Sequence, residues 1–244
     1  MQITTKGLII REQTVGESDR LVTILTADFG LVKAFVRRAK TFKNQNLSST
    51  SLFVYGDFTL YKSKDAYIVD NASPIEVFFD LRSDIEKLTL AQYFAQLTYF
   101  LGSEEQPSNE MLRLVLNALH LLCKGKKDTK LIKAVVEMRM ICLGGYMPNL
   151  LACYRCGCYE SDIMYFDIEE GCVYCKDCNR NNAIYAPLGV ISALRFIVLS
   201  DLNKIFSFSL SPENFNILCD ICEKYVLSRV ESRLTTLEFY KGLF

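Results

Sequence analysis

Two cysteine pairs constrain this chain more than any other feature: Cys153-Tyr154-Arg155-Cys156 and Cys175-Lys176-Asp177-Cys178, with eighteen residues between them. A two-residue gap lets both thiolates of a pair reach one ion at about 2.3 Å, and two such pairs complete a tetrahedral set. The intervening residues are enough for a short hairpin that returns the chain to the metal. The spacing therefore predicts one structural zinc ion held by Cys153, Cys156, Cys175 and Cys178. Four thiolates leave no open position for water, so the pattern does not suggest zinc catalysis. A disulfide framework is the competing reading. It fits poorly, because Met1-Gln2-Ile3-Thr4-Thr5 leads into an alternating strand pattern and not an apolar leader. A redox pair is a second competitor, but such motifs come singly. Cys158 and Cys172 lie within the module at less regular spacing and read as bystanders. Cys123, Cys142, Cys219 and Cys222 lie in apolar helical surroundings and read as core residues.

At 244 residues, half of them apolar, the chain can bury a sizeable core and divide into more than one domain. The longest apolar patterns are interrupted by charges, so no membrane span is expected. Free cysteines predict a reducing, cytoplasmic setting. Formal net charge is zero, so the total says nothing about a polyanionic partner, but the distribution does. From Lys33 to Lys64 the bases are Lys33, Arg37, Arg38, Lys40, Lys43, Lys62 and Lys64, and the one acid is Asp57. Positive charge gathered in a small region predicts an anionic partner.

Strand signals fill roughly the first eighty residues. Gly7–Glu12, Arg20–Leu25, Leu31–Val36, Leu52–Tyr61 and a strand starting at Tyr67 are rich in β-branched and aromatic residues, with turns at Gly16–Asp19, Asp28–Gly30 and Ser63–Asp65. Residues 41–50 read as a basic loop. Five short strands suggest a small barrel; a five-strand Greek-key barrel is the OB-fold, although propensity alone does not choose it over other small barrels. The period then changes. Ser83 and Glu86 read as a capping box opening a largely buried helix. Further helices are expected from Pro107 or Ser108 to Cys123, Asp128 to Gly144, Pro187 to Leu199 and Ser211 to Val230. The expected organisation is α+β: a barrel over residues 1–80, an α-helical domain over 81–149 and 183–244, and an inserted zinc module over 150–182.

Enzymatic readings find little support. The one histidine, His120, lies among Leu119, Leu121 and Leu122 on a helix, with no evident partner for general-base work. There is no phosphate-binding glycine loop and no nucleophile elbow. The basic segment is more informative. Lys33 and Phe35 alternate along one strand and so share a face, which Arg37 joins if the strand continues. Single strands are held by a positive groove with aromatic platforms, and Phe35, Phe42, Tyr55 and Tyr61 are candidate platforms, with filling of the barrel as the plainer role for Phe35 and Tyr55.

Lys6–Ile10, Gly16–Thr26 and Gly30–Lys40, followed by the cysteine pairs, resemble the bacterial RecO family of DNA repair proteins. The resemblance implies an amino-terminal OB-fold, a helical domain and a structural four-cysteine zinc module. It implies a non-enzymatic mediator of recombination, associated with the nucleoid during repair. Such a protein binds single- and double-stranded DNA and anneals complementary strands. It works with RecR, and in some bacteria RecF, to place RecA on strands coated by SSB. On that basis the expected DNA contacts are Lys33, Arg37, Arg38, Lys40 and Lys43, with Arg11 and Arg20 behind them. The acidic SSB tail needs an apolar groove beside a cation, and the helix carrying Lys130, Lys133 and Arg139 is the candidate. Residues 232–244 are less basic than the family's tail. A non-catalytic interaction adaptor with a structural zinc site is the alternative function.

Overall fold

Alternating burial turns the first five strands into a closed wall. The computed structural model describes residues 2–37, 46–63, 66–159, 161–179 and 182–243. Arg38, Lys40, Phe42 and Lys43 lie outside the described residues. Strands β1 (Gln2–Val15), β2 (Asp19–Thr26), β3 (Gly30–Val36), β4 (Val54–Lys62) and β5 (Tyr67–Val77) close in the order β1-β2-β3-β5-β4. The β3–β5 pair is parallel and the other pairs are antiparallel. This is the five-stranded barrel expected from the strand pattern. The long β1 serves two partners: its first half pairs with β4, its second with β2. A bulge at Ile9–Arg11 bends it between the two.

Ile9, Val22, Ile24, Val32, Ala34, Val36, Phe58 and Leu60 fill the barrel. Wholly buried side chains such as Ile24 and Phe58 each contribute about 1.5–3 kcal/mol of hydrophobic stabilisation. Phe35 and Tyr55 do not fill it. They alternate with inward residues, so the period of two turns both to the outer surface, half-buried. Tyr61 is also outside and exposed. A four-residue helix, α1 (Asn46–Ser49), precedes β4.

Helix α2 (Ile85–Leu101) follows a 3-10 turn over Phe79–Ser83. Its cap lies one residue later than the Ser83–Glu86 pattern suggests. Asp84 Oδ1 accepts from the backbone N–H of Glu86 at 3.0 Å and Lys87 at 3.3 Å, while the Ser83 hydroxyl donates back to the Asp80 carbonyl. A carboxylate is the better acceptor for orphan N–H groups, and Ser83 is held by the preceding turn. Helix α3 (Asn109–Lys124) buries Met111, Leu114, Val115, Ala118, Leu119 and Leu122 along one stripe. His120 lies off that stripe, half-exposed, with Nδ1 3.6 Å from Glu76.

A helix absent from the sequence reading, α7 (Thr235–Leu243), packs on α2. Gln96 Oε1 accepts from the Thr236 backbone N–H at 3.2 Å, and the Tyr240 hydroxyl donates to Glu86 at 3.3 Å. The chain divides into two compact units: Met1–Cys123 with Leu234–Phe244, and Lys124–Arg233. Helices expected as one domain over 81–149 and 183–244 are thus distributed between both, α2, α3 and α7 grouping with the barrel.

The second unit holds α4 (Thr129–Leu143), strands β6 (Asn149–Cys153), β7 (Ile163–Asp167), β8 (Cys172–Cys175) and β9 (Ile184–Pro187), then α5 (Leu188–Leu199) and α6 (Pro212–Arg229). The strands form one sheet ordered β6-β8-β7-β9. Asp128 caps α4, and Ser211 caps α6 with Pro212 in its first turn. Among the described residues no helix is long and apolar enough to cross a membrane.

Candidate metal centre and nucleic-acid interface

The antiparallel β7–β8 hairpin returns the second cysteine pair to the first. Cys153 ends β6, Cys175 ends β8, and those two strands are neighbours in the sheet. Each pair then sits in a tight turn. In the first, the Gly157 N–H donates to the Cys153 carbonyl at 2.9 Å and the Cys153 N–H donates to the Cys158 carbonyl at 2.8 Å. Gly157 has φ +73°, a left-handed conformation that glycine adopts without strain. The second pair spans a 3-10 turn over Lys176–Cys178.

The four sulfurs lie within 4.8 Å of one another, with Cys156 and Cys175 3.6 Å apart. A tetrahedral zinc with bonds of 2.3 Å requires sulfur separations of about 3.8 Å, so the set can hold a metal ion. Burial opposes ionisation of Cys153, but backbone N–H groups of Cys175, Cys156 and Arg155 outweigh it and bring the thiol down to about 6. Desolvation, followed by the crowding of the other sulfurs, pushes Cys178 up to about 12. One thiolate forms readily and the next is resisted, which is the electrostatics of a cluster suited to a cation. Cys172 lies outside the set, its thiol directed to Glu170 at 3.8 Å, and Cys158 contributes a carbonyl to the first turn.

Two arginines fix this module. From α5, Arg195 Nε donates to the Leu150 carbonyl at 2.8 Å, and Nη2 donates to Leu151 at 2.9 Å and Tyr159 at 3.1 Å. Its guanidinium lies 4.6 Å from the Tyr159 ring centroid. From α6, Arg229 Nη2 donates to the carbonyls of Ile168 and Glu169. Neither role was legible locally, since the acceptors are backbone groups more than thirty residues away.

On the barrel, Lys33 and Phe35 lie on the outer face of β3, Lys33 exposed and Phe35 half-buried, and Arg37, in the turn just past the end of the strand, is exposed. The charge there is mixed, against the single-sign expectation. The segment after α2 brings Glu104 within 2.8 Å of Lys33 and Glu105 within 3.9 Å of Lys62. Acids distant in sequence thus meet the basic strand face. The hydrogen bond to Glu104 holds the Lys33 ammonium above its usual range. Arg11 is exposed, its guanidinium 4.9 Å from the Tyr99 ring centroid. Arg20 is committed elsewhere: Nη1 lies 3.1 Å from Glu12 and donates to the carbonyls of Leu47 and Thr50, so it ties α1 to the barrel.

The proposed receiving helix is also largely committed. Lys133 is buried on α4, 2.7 Å from Glu137 and 2.8 Å from Glu223. Arg139 donates to the carbonyls of Ile197 and Val198 at the end of α5. Lys130, in the first turn of α4, is exposed. Apolar surface beside a cation instead occurs in the barrel unit, where Ile10, Arg11, Phe53, Gln92, Tyr99 and Phe100 line a cavity of ≈ 340 Å³.

Comparison with known proteins agrees with this architecture. Residues 1–78 match the family model "Recombination protein O N terminal" and residues 82–238 match "Recombination protein O C terminal". The DNA repair protein RecO of Acetivibrio thermocellus is 33% identical over 243 residues, covering 99% of this chain and 97% of the relative. The RecO proteins of Caldicellulosiruptor bescii and Alkaliphilus metalliredigens are 27% and 26% identical, covering at least 98% of each chain compared. A closed five-stranded barrel, a helical remainder and two models that together span nearly the whole sequence place this chain in the RecO family of DNA repair proteins.

Proposed function

We propose that this chain is a recombination mediator that binds single- and double-stranded DNA and anneals complementary strands. In this reading it acts with RecR, and with RecF where one is present, to help place RecA on strands coated by SSB. The observation that carries the reading is the closed barrel with Lys33 and Phe35 on the outer face of β3 and exposed Arg37 just past its end. Cations there hold the phosphates, and the ring offers a base a stacking surface. Arg38, Lys40 and Lys43 extend the same basic run in sequence. Annealing brings two polyanions together; a cationic surface lowers their repulsion without making or breaking a covalent bond. The protein acts in the cytoplasm, at the nucleoid during repair.

Zinc is the ion we assign to Cys153, Cys156, Cys175 and Cys178, on the softness of the donors and their mutual spacing. Bound there, it cross-links the two turns and makes the fold of the module depend on metal. For the SSB tail, the cavity beside Arg11 has the required chemistry, an apolar lining and an exposed cation. Lys133 and Arg139 are spent on internal partners. An adaptor function that needs no DNA contact is the second reading. It is favoured by the exposed apolar side chains of Leu151, Tyr154 and Tyr159 on the metal module, which suit a protein partner.

The test is annealing of two labelled complementary oligonucleotides, with and without SSB, across a salt series and without nucleotide. Acceleration that fades with salt supports the mediator. No acceleration by folded, metal-loaded protein favours the adaptor.

A further inference from the structure

Lys33 and Lys62 face a groove on the barrel that also includes Phe29, Val32 and Tyr67. Lys62 lies 5.6 Å from the Tyr67 ring centroid and Lys33 lies 6.0 Å from that of Tyr99. Two cations with aromatic neighbours are the chemistry of a nucleic-acid backbone site. Its charge is already answered by Glu104, 2.8 Å from Lys33, and Glu105, 3.9 Å from Lys62. Both acids are well exposed, at 61% and 85% of their side-chain surface. They gain nothing from burial, and their position is set by the backbone that carries them.

That backbone is fastened to the barrel. The Leu31 N–H donates to the Ser103 carbonyl at 2.9 Å, the Glu105 N–H to Phe29 at 3.1 Å, and the Ser108 N–H to Ala27 at 2.9 Å. Glu104 forms a β-bridge with Gly30. Gly30 has φ +64°, and a Cβ there would lie 2.1 Å from the Ser103 carbonyl oxygen. Only a glycine lets the segment lie this close. Glu105 itself has φ +62°, a conformation that residues with a side chain rarely adopt. The fold therefore holds two carboxylates over two lysines through a strained and close-fitted connection.

We infer that Glu104 and Glu105 are a built-in phosphate mimic, occupying the cations of a nucleic-acid backbone site until DNA phosphates displace them. The inference rests on the proposal that the barrel binds DNA, and deepens it by adding Lys62 to the contact surface and a competitor to Lys33. Phosphates arriving in series outcompete two exposed carboxylates. An isolated anion or a short strand gains less. The acids thus set a threshold of strand length and salt for binding.

The experiment is fluorescence-anisotropy titration of a labelled single strand, at low and at raised salt, with four metal-loaded proteins and one charge control. These are wild type, E104Q/E105Q, K33Q/K62Q and the quadruple variant. Loss of two exposed ion pairs that compete for the lysines predicts roughly fivefold tighter binding for E104Q/E105Q at low salt. K33Q/K62Q weakens binding, and in that background the glutamate changes have no further effect, because the acids act through those lysines. Equal affinity of wild type and E104Q/E105Q overturns the inference while DNA binding stands. A gain that persists in the quadruple variant also overturns it, as it reports general charge. If no protein binds DNA, the barrel reading fails and the inference with it. The exposed E231Q change, in the other unit, is the charge control and leaves affinity unaltered.

Discussion

The Lys133 ammonium joins α4 to α6 through the carboxylate of Glu223, 2.8 Å away, while holding Glu137 on its own helix at 2.7 Å. Glu137 is wholly buried, so its charge depends on this lysine. Removing one member of a buried ionic set leaves the others uncompensated and costs about 3–5 kcal/mol. Lys133→Ala is therefore expected to lower unfolding free energy by about that amount, measured by urea denaturation. Replacing Lys133 by Met and Glu137 by Leu together should cost less than the single change, because the wholly buried carboxylate is removed together with its partner.

The same group fixes a pH dependence. Burial opposes the Lys133 charge, but Glu137 and Glu223 outweigh it and raise its affinity for the proton above the ordinary 10.5. A raised folded-state value means the stabilisation is complete below the unfolded value and is lost as pH climbs through the folded one. The stability difference between wild type and the Lys133→Met, Glu137→Leu double variant, which leaves no wholly buried carboxyl to titrate, should hence be constant from about pH 6 to about pH 9 and shrink only in strong alkali. A difference that grows with alkali would contradict the assigned pairing.

Cys153→Ser or Cys178→Ser is expected to release the bound metal and open the β6–β8 region to hydrogen exchange. Cys172→Ser should retain it, since that thiol lies outside the four-sulfur set. Metal content by mass spectrometry, read beside exchange at Val173 and Tyr174, separates ligand from bystander.

Arg195 holds the first cysteine turn through three backbone carbonyls. Arg195→Ala removes these three bonds, of which only the one to Leu150 is part-buried, and should cost about 1 kcal/mol. The change should accelerate metal release to a chelator without altering the ligands. Arg195→Lys cannot reach three carbonyls at once and should rescue only in part.

Arg37 and Arg20 are basic residues near one another in sequence with different expected signatures. Arg37→Ala should weaken DNA binding and reduce its salt slope by about one. Arg20→Ala should lower the melting temperature, because its partners are Glu12, Leu47 and Thr50, and leave that slope as it is.

Legibility in the sequence followed the distance over which each signal acts. Cys153, Cys156, Cys175 and Cys178 were readable because ligand spacing within a turn is local. The barrel strands were readable because Val32, Ala34 and Val36 alternate with Lys33 and Phe35, and a period of two needs no partner to be seen. At Asp84 the reading missed by one residue, since Ser83 fits the same capping pattern and only the fold shows which oxygen meets Glu86 and Lys87. Lys133 offered itself as a cation for the SSB tail because Glu223 is ninety residues away, and Lys33 looked unopposed because Glu104 is seventy-one away. The half-burial of Phe35 outside the barrel has the same cause: strand alternation shows which residues share a face, and packing decides which face is inside.

Helix α7 belongs with the barrel unit although the whole of Lys124–Arg233 precedes it in the chain. During synthesis the flank of α2 that α7 covers, with Gln96 and Glu86, must wait uncovered while the metal-binding unit is made in full. The nascent barrel unit passes through a stage with this flank of α2 bare to the cell. A chain interrupted before residue 235 would keep that flank bare.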